Sequence, residues 1–222
     1  PIIKNKLFIF ANAEIEKRPG QIVTWKASDT GISDGISLSR TKVSDMERVK
    51  NHLINNYGYD PGSFTDFPGD ESNMKLLTRL DWNINDKNKL SLRYNYTKNQ
   101  VWNQTNGSST DAGLRNSTMN RISQYSMVFA NSLYSMDNIV NSVAAELNTR
   151  FNNKMSNQFL ATYTKIDDVR GSNSDKFPFI DILAGYNATT GYPTIEPYMS
   201  AGYEVFTWNN GVHNKVYSVI DN

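Results

Sequence analysis

Two runs of strict alternation joined by a short polar turn limit what this chain can fold into. In residues 75–84, Leu76, Leu80, Trp82 and Ile84 fall on one side and Leu77, Arg79, Asp81 and Asn83 on the other, the period of two that a β-strand requires. After the turn Asn85, Asp86, Lys87 and Asn88, the next run sets Leu90, Leu92, Tyr94 and Tyr96 against Ser91, Arg93, Asn95 and Thr97. A second pair repeats the plan. Val143, Ala145, Leu147 and Phe151 alternate with Ala144, Glu146, Asn148 and Arg150; a turn at Asn152, Asn153 and Lys154 follows; then Phe159, Ala161 and Tyr163 alternate with Leu160, Thr162 and Thr164.

Between these hairpins the connections are long. Residues 19–73, 103–136 and 170–211 carry little sustained alternation and are rich in Gly, Asn, Ser, Asp and Pro, the residues of turns. With further strands at residues 4–17 and 212–220, long and short connections alternate along the chain, so all short turns share one end and all long loops the other. Structureless connections beyond about 15 residues are uncommon in compact soluble domains. A transmembrane β-barrel has this asymmetry, and strands of about 11 residues at ~3.4 Å each, tilted ~45°, rise ~26 Å, close to its ~25 Å apolar band. The expected fold is all-β: an up-and-down antiparallel transmembrane β-barrel fragment of about six strands, with long loops and one short loop helix, residues 1–222 forming a single partial barrel domain.

The helix is expected at residues 44–57. Ser44 and Glu47 make a capping-box pattern, Met46, Val49, Leu53 and Tyr57 form an apolar stripe, and Gly58 supplies the left-handed C-terminal position.

Composition narrows the class further. A mean hydropathy of −0.56, with no run near the ~18 apolar residues a spanning helix needs, excludes a helical membrane protein. A net charge of +1 without a Lys/Arg cluster gives no reason to expect nucleic acid. The absence of cysteine excludes disulfides, thiolate metal sites and thiol catalysis. The chain opens at Pro1 and closes inside a strand, as an internal piece of a longer protein would.

Catalytic motifs are missing. His52 and His213 have no acidic or histidine partner at helical spacing, so a metal site is not expected. The stretch from Asp81 resembles a calcium loop but has Asp86 where Gly belongs and Leu92 where Glu belongs. Phosphate-cradling glycine loops and nucleophile elbows are absent, so neither an enzyme nor a cofactor is expected. Sequons at Asn95, Asn103, Asn106, Asn116 and Asn187 are what so Asn-rich a chain produces by chance.

Arg79, Asp81, Arg93, Glu146 and Arg150 fall opposite the apolar stripe, where a water-filled lumen accepts them; the solvent face of a soluble sheet would accept them equally. Leu80, Trp82, Ile84, Leu90, Leu92, Tyr94 and Tyr96 are then assigned to lipid. Alternation alone does not separate the two solvents. In the loops, Trp102, Asn103, Gln104, Tyr192, Tyr198, Trp208 and Asn209 are the ligand-binding candidates, aromatic and amide side chains suited to a glycan or a peptide.

The opening residues Pro1, Ile2, Ile3, Lys4, Asn5, Lys6, Leu7, Phe8, Ile9, Phe10, then Ala11, Asn12, Ala13 and Glu14, resemble the segment of TonB-dependent outer-membrane receptors where the plug gives way to the barrel, and in particular the Oar-like receptors of the Bacteroidetes. Residues 56–62, 80–88 and 144–151 resemble the same group in the same order. The resemblance implies a barrel of about 22 strands closed by a plug, an outer-membrane location, and uptake of a substrate with energy relayed through TonB. This stretch lacks the plug, the TonB-contacting segment and the closing strand, so its expected partners are outer-membrane lipid, TonB by way of the absent plug, and an unidentified substrate. The rival expectation is a soluble secreted β-sandwich or adhesin module that binds carbohydrate or protein.

Overall fold

The computed structural model describes residues 1–105, 120–185, 197–204, 207 and 211–222. Its elements in chain order are β1 (Leu7–Arg18), β2 (Lys26–Ser28), β3 (Leu38–Lys42), α1 (Val43–Tyr57), β4 (Glu71–Asn83), β5 (Asn88–Asn103), β6 (Met127–Val128), a short 3-10 turn (Ala130–Ser132), β7 (Tyr134–Asn152), β8 (Met155–Gly171), β9 (Ile180–Leu183), β10 (Pro197–Ala201) and β11 (Val212–Asp221). The protein is mostly β, with one α-helix among the described residues.

The long strands form one six-stranded sheet in the order β1-β4-β5-β7-β8-β11, each pair antiparallel, an up-and-down arrangement with β1 and β11 as its edges. Both tight turns fall where alternation places them. Ile84, expected within the first strand, instead begins the turn, its N–H donating 3.0 Å to the Asn88 carbonyl. Strands are longer than the alternation alone indicated, up to 19 residues in β7, because their loop ends carry polar residues on both faces and so lose the period-two contrast.

No buried apolar residue among those described belongs to these six strands. The core lies in the long connections, which the sequence left as irregular loops and which fold together into a unit at one end of the sheet. One cluster joins Met46, Leu53 and Tyr59 from the first connection to Met127 and Phe129 from the second and Met199 and Ala201 from the third. A second joins Val23 to Ile122, Val128 and Leu133, with Trp102 packed against it. Strands of two to five residues organise the connections, β6-β10-β9 joining the second to the third in one small sheet and β2-β3 pairing within the first. Elements so short show no periodicity in a sequence, which is why these connections look irregular there.

Helix α1 spans nearly the expected residues and ends as expected. Gly58 adopts φ 64° and donates to Ile54 O, while Tyr59 N–H donates to Leu53 O. Its start differs. Lys42 holds the N-cap position without a side-chain cap, so the Ser44 and Glu47 capping box does not form.

Phe129 is fully buried, whereas Phe159 on β8 is 39% exposed with no protein core beside it. We therefore expect Phe129→Ala to destabilise the loop unit by about 3–5 kcal/mol, read as lost amide-exchange protection across α1 and β10, and Phe159→Ala to leave those amides unchanged.

Candidate functional site

The register of the six strands sorts their side chains into two faces, since directly paired residues point the same way. Leu7, Trp82, Leu90, Leu147 and Phe159 form one cross-strand row, which ends in Asp221 on β11; Ile9, Leu80, Leu92, Ala145, Ala161 and Val219 form the next; Ala11, Thr78, Tyr94, Val143, Tyr163 and Tyr217 the third. The residues assigned to lipid thus share a face, with Ile84 just beyond it in the turn. Much of this face is open: Ile9 is 59% exposed, Val143 46% and Tyr217 70%.

Towards the loops the apolar character gives way to charge along a line oblique to these rows. On β1 the change falls between Ile15 and Lys17, on β5 between Tyr96 and Lys98, on β8 between Tyr163 and Lys165, and on β11 between Tyr217 and Lys215. The boundary comes two residues nearer the tight turns on β5 than on β1 and four residues nearer on β8 and β11; on β7 it is broken, Asn141 standing beside Lys165 and Ile139 beside Lys98.

The opposite face carries the five charged residues of the sequence reading. Arg79 pairs directly with Arg93, and Asp81 with Ser91, which pairs in turn with Glu146. Two arginines face to face are tolerable because carboxylates flank them: Arg79 Nε lies 2.9 Å from Asp81, and the Ser91 hydroxyl donates to the same carboxylate. Glu146 accepts hydrogen bonds of 2.8 Å from Asn148 and from Gln158. Arg150 extends this face to the turns, exposed, its backbone N–H bonded to Lys87 O.

A cleft of about 500 Å³ lies at the loop end of the apolar face. Its floor is strand: Lys17, Ser72 and Gln100 share one row and Trp102 stands in the next. Its walls are loop: Ser63, Asp66, Phe67, Asn131 and Asn173. Gln100 is oriented by donating its amide 2.9 Å to Asp137, and Asn131 by donating 2.9 Å to the Asp60 carbonyl. Lys17 and Asp70 close one end with a 2.6 Å ion pair. That lysine and the Gly20 N–H hold the Asp70 carboxyl below the usual carboxylate range.

These contacts divide the binding candidates. Trp102 lines the cleft, half-buried against the second core cluster. Asn103 turns back to the Val101 carbonyl, and the Gln104 amide donates to Ile22 O, tying the first connection to β5. Tyr198 serves the fold: its hydroxyl accepts 2.9 Å from Lys42 N–H and donates 2.7 Å to Asp45, clamping the junction of β3 and α1. Tyr192, Trp208 and Asn209 lie outside the described residues. Phe67, Asn131 and Asn173 carry no sequence signal as site residues, because they meet Trp102 only through the folding of separate connections. His213 does have an acidic partner, Asp167 at 2.6 Å, supplied across the β8–β11 pairing rather than by helical spacing. Among the described residues there is no His, Cys, Asp and Glu cluster able to hold a metal ion.

A second concavity, about 560 Å³ and apolar, runs between α1 and β9, walled by Leu53, Tyr57, Phe177 and Ile180, with Arg48 and His52 at its rim. Comparison of the chain with family models, with curated proteins and with solved structures returns no match.

Two outcomes test this geometry. Tyr198→Phe removes a bond to a carboxylate and one to a backbone N–H and is expected to cost about 1.5–3 kcal/mol, seen as faster amide exchange at Lys42. Because the Asp70 carboxyl is lowered in the folded state, its contribution is complete above about pH 4, the ordinary Asp value. It is lost as pH falls through the folded value. The Gly20 amide should therefore lose protection on acidification below about pH 4, and Asp70→Asn should flatten that response.

Proposed function

We propose that this chain is a segment of the wall of an outer-membrane β-barrel, a TonB-dependent receptor, whose loop unit stands at the outer mouth and contributes to substrate capture. The observation that carries the membrane part is the six-strand apolar face with no protein core against it. Soluble monomers seldom expose contiguous apolar patches beyond a few hundred Å², and a β-sandwich would bury this face under a second sheet about 10 Å away. Among the described residues no second sheet lies there. Two further features support the reading. The apolar band ends obliquely to the strand rows, as a flat bilayer cutting tilted strands requires, and the hydrogen-bonded charges of the opposite face suit a wet lumen. The receptor family rests on the resemblance of residues 1–14, 56–62, 80–88 and 144–151.

The chain has no cysteine, so single introduced cysteines report without background. A nitroxide at Leu92→Cys is expected to collide with oxygen and be shielded from a water-soluble nickel reagent, and one at Arg93→Cys to show the reverse. Equal nickel access at both sites would overturn the membrane assignment. In intact cells, a membrane-impermeant maleimide should label Ile36→Cys in the loop unit and spare Asp86→Cys in the tight turn until the outer membrane is permeabilised. The reverse pattern would invert the orientation. For the family, the flanking coding sequence should supply a plug upstream.

A further inference from the structure

We propose that the Trp102 cleft seats the sugar headgroup of a glycolipid in the outer leaflet, an inference that rests on the lipid assignment of the apolar face. The cleft is continuous with that face. Its floor residues Lys17 and Ser72 stand one row beyond Ile15 and Met74, the last apolar residues of β1 and β4. On the lipid assignment this height, immediately above the hydrocarbon, is where lipid headgroups lie, so a molecule entering from this side arrives attached to the membrane.

The lining decides which headgroup. A phosphate site needs uncompensated cations or a row of converging backbone N–H groups. Here the lysine of the floor is bound to Asp70 at 2.6 Å, and Asp66 adds a further negative charge to the wall. What remains is a half-buried indole beside amides and hydroxyls, Gln100, Asn173, Ser63 and Ser72 among them. A sugar ring fits that set: its C–H face packs on an aromatic ring, and its hydroxyls both donate and accept, as primary amides do. A volume of about 500 Å³ lies within the usual range for small-molecule sites.

The test uses the protein isolated from the membrane of cells that make it, stripped of lipid and returned to nanodiscs. The discs contain phosphatidylethanolamine alone, the same lipid with lipopolysaccharide bearing core sugars, or the same lipid with the free core oligosaccharide in solution. Native mass spectrometry counts the molecules retained. The wild type is expected to retain lipopolysaccharide above the phospholipid background, and Trp102→Ala to retain about tenfold less, the loss typical of removing an aromatic anchor. Asn173→Ala, at an exposed position that leaves the core untouched, should also weaken retention, while Tyr57→Ala in the other concavity should not. Equal retention by wild type, Trp102→Ala and Asn173→Ala would overturn the proposal. Capture of the free oligosaccharide as strongly as the lipid-linked one would overturn its membrane source and leave a soluble-sugar site. The Leu92 nitroxide, read in the same discs, separates the failures: water contact there removes the lipid assignment itself, whereas oxygen contact with no sugar retention removes the present inference alone.

Discussion

One asparagine side chain in each tight turn sets the register on which both faces of the sheet depend. Asn85 Oδ1 accepts from the backbone N–H groups of Lys87 and Asn88 and from the Asn88 side chain, all within 2.9–3.0 Å, closing the β4–β5 turn at a fixed length. Asn152 Oδ1 does the same for β7–β8 by accepting 2.8 Å from Lys154 N–H. Side chains alternate with a period of two, so a slip of one residue in the β4–β5 hairpin would carry Leu90, Leu92 and Tyr94 onto the charged face and Arg93 onto the apolar one. Small polar turns thus hold apart two environments that extend over all six strands.

The loop unit is a different kind of structure resting on the same strands. Its apolar residues are buried by protein, and its connections are held together by buried charge. Arg121, almost wholly buried, sends Nε and a terminal nitrogen to the two oxygens of Asp181 at 2.8 and 2.7 Å, while Phe179 lies beneath its guanidinium. Ser200 donates 2.6 Å to the same carboxylate, so the second and third connections meet at one hydrogen-bonded group. Arg170, at the end of β8, lies over the Tyr134 ring and pairs with buried Glu204, which also accepts from Thr207. The third connection is thereby fixed to the strand ends. The cleft walls are tied more directly, Ala130 N–H donating 2.7 Å to Ser63 O and Asn131 N–H 3.0 Å to Pro61 O.

What was legible in the sequence follows from the range of the interactions involved. The hairpins and α1 are local: each is written in about 15–30 consecutive residues by period, turn chemistry and the Gly58 stop. The sheet order followed from the long and short connections. The loop unit was not legible, because Met46, Phe129 and Met199 come from three connections and show no pattern in any of them. The same holds for the candidate site. Trp102 stood out as a loop aromatic, whereas it and Asn103 lie within β5, and nothing near it in sequence names Phe67, Asn131 or Asn173 as its neighbours. Tyr198 shows the opposite error, an exposed-looking loop aromatic whose hydroxyl is already engaged by Lys42 and Asp45.

The oblique loop-side edge of the apolar band has a definite slope. From β1 to β11 the boundary shifts by four residues across five strand spacings. At ~3.4 Å per residue and ~4.8 Å per spacing, that is ~14 Å over ~24 Å, or about 30°. The turn end does not follow the same line: the β4 series reaches Ile84, Phe151 and Met155 on β7 and β8 lie beyond the polar pair Thr149 and Asn157, and on β11 Asp221 already stands opposite Phe159. A loop-side edge inclined to the strand rows is what a slab cut by tilted strands leaves. In spanning barrels that tilt is about 35–45°. A core packed by a second sheet has no reason to respect such a plane, since its edge follows whichever side chains the partner covers. Composition and alternation are common to both solvents, but the inclination of the band is not, and on this chain it favours the bilayer.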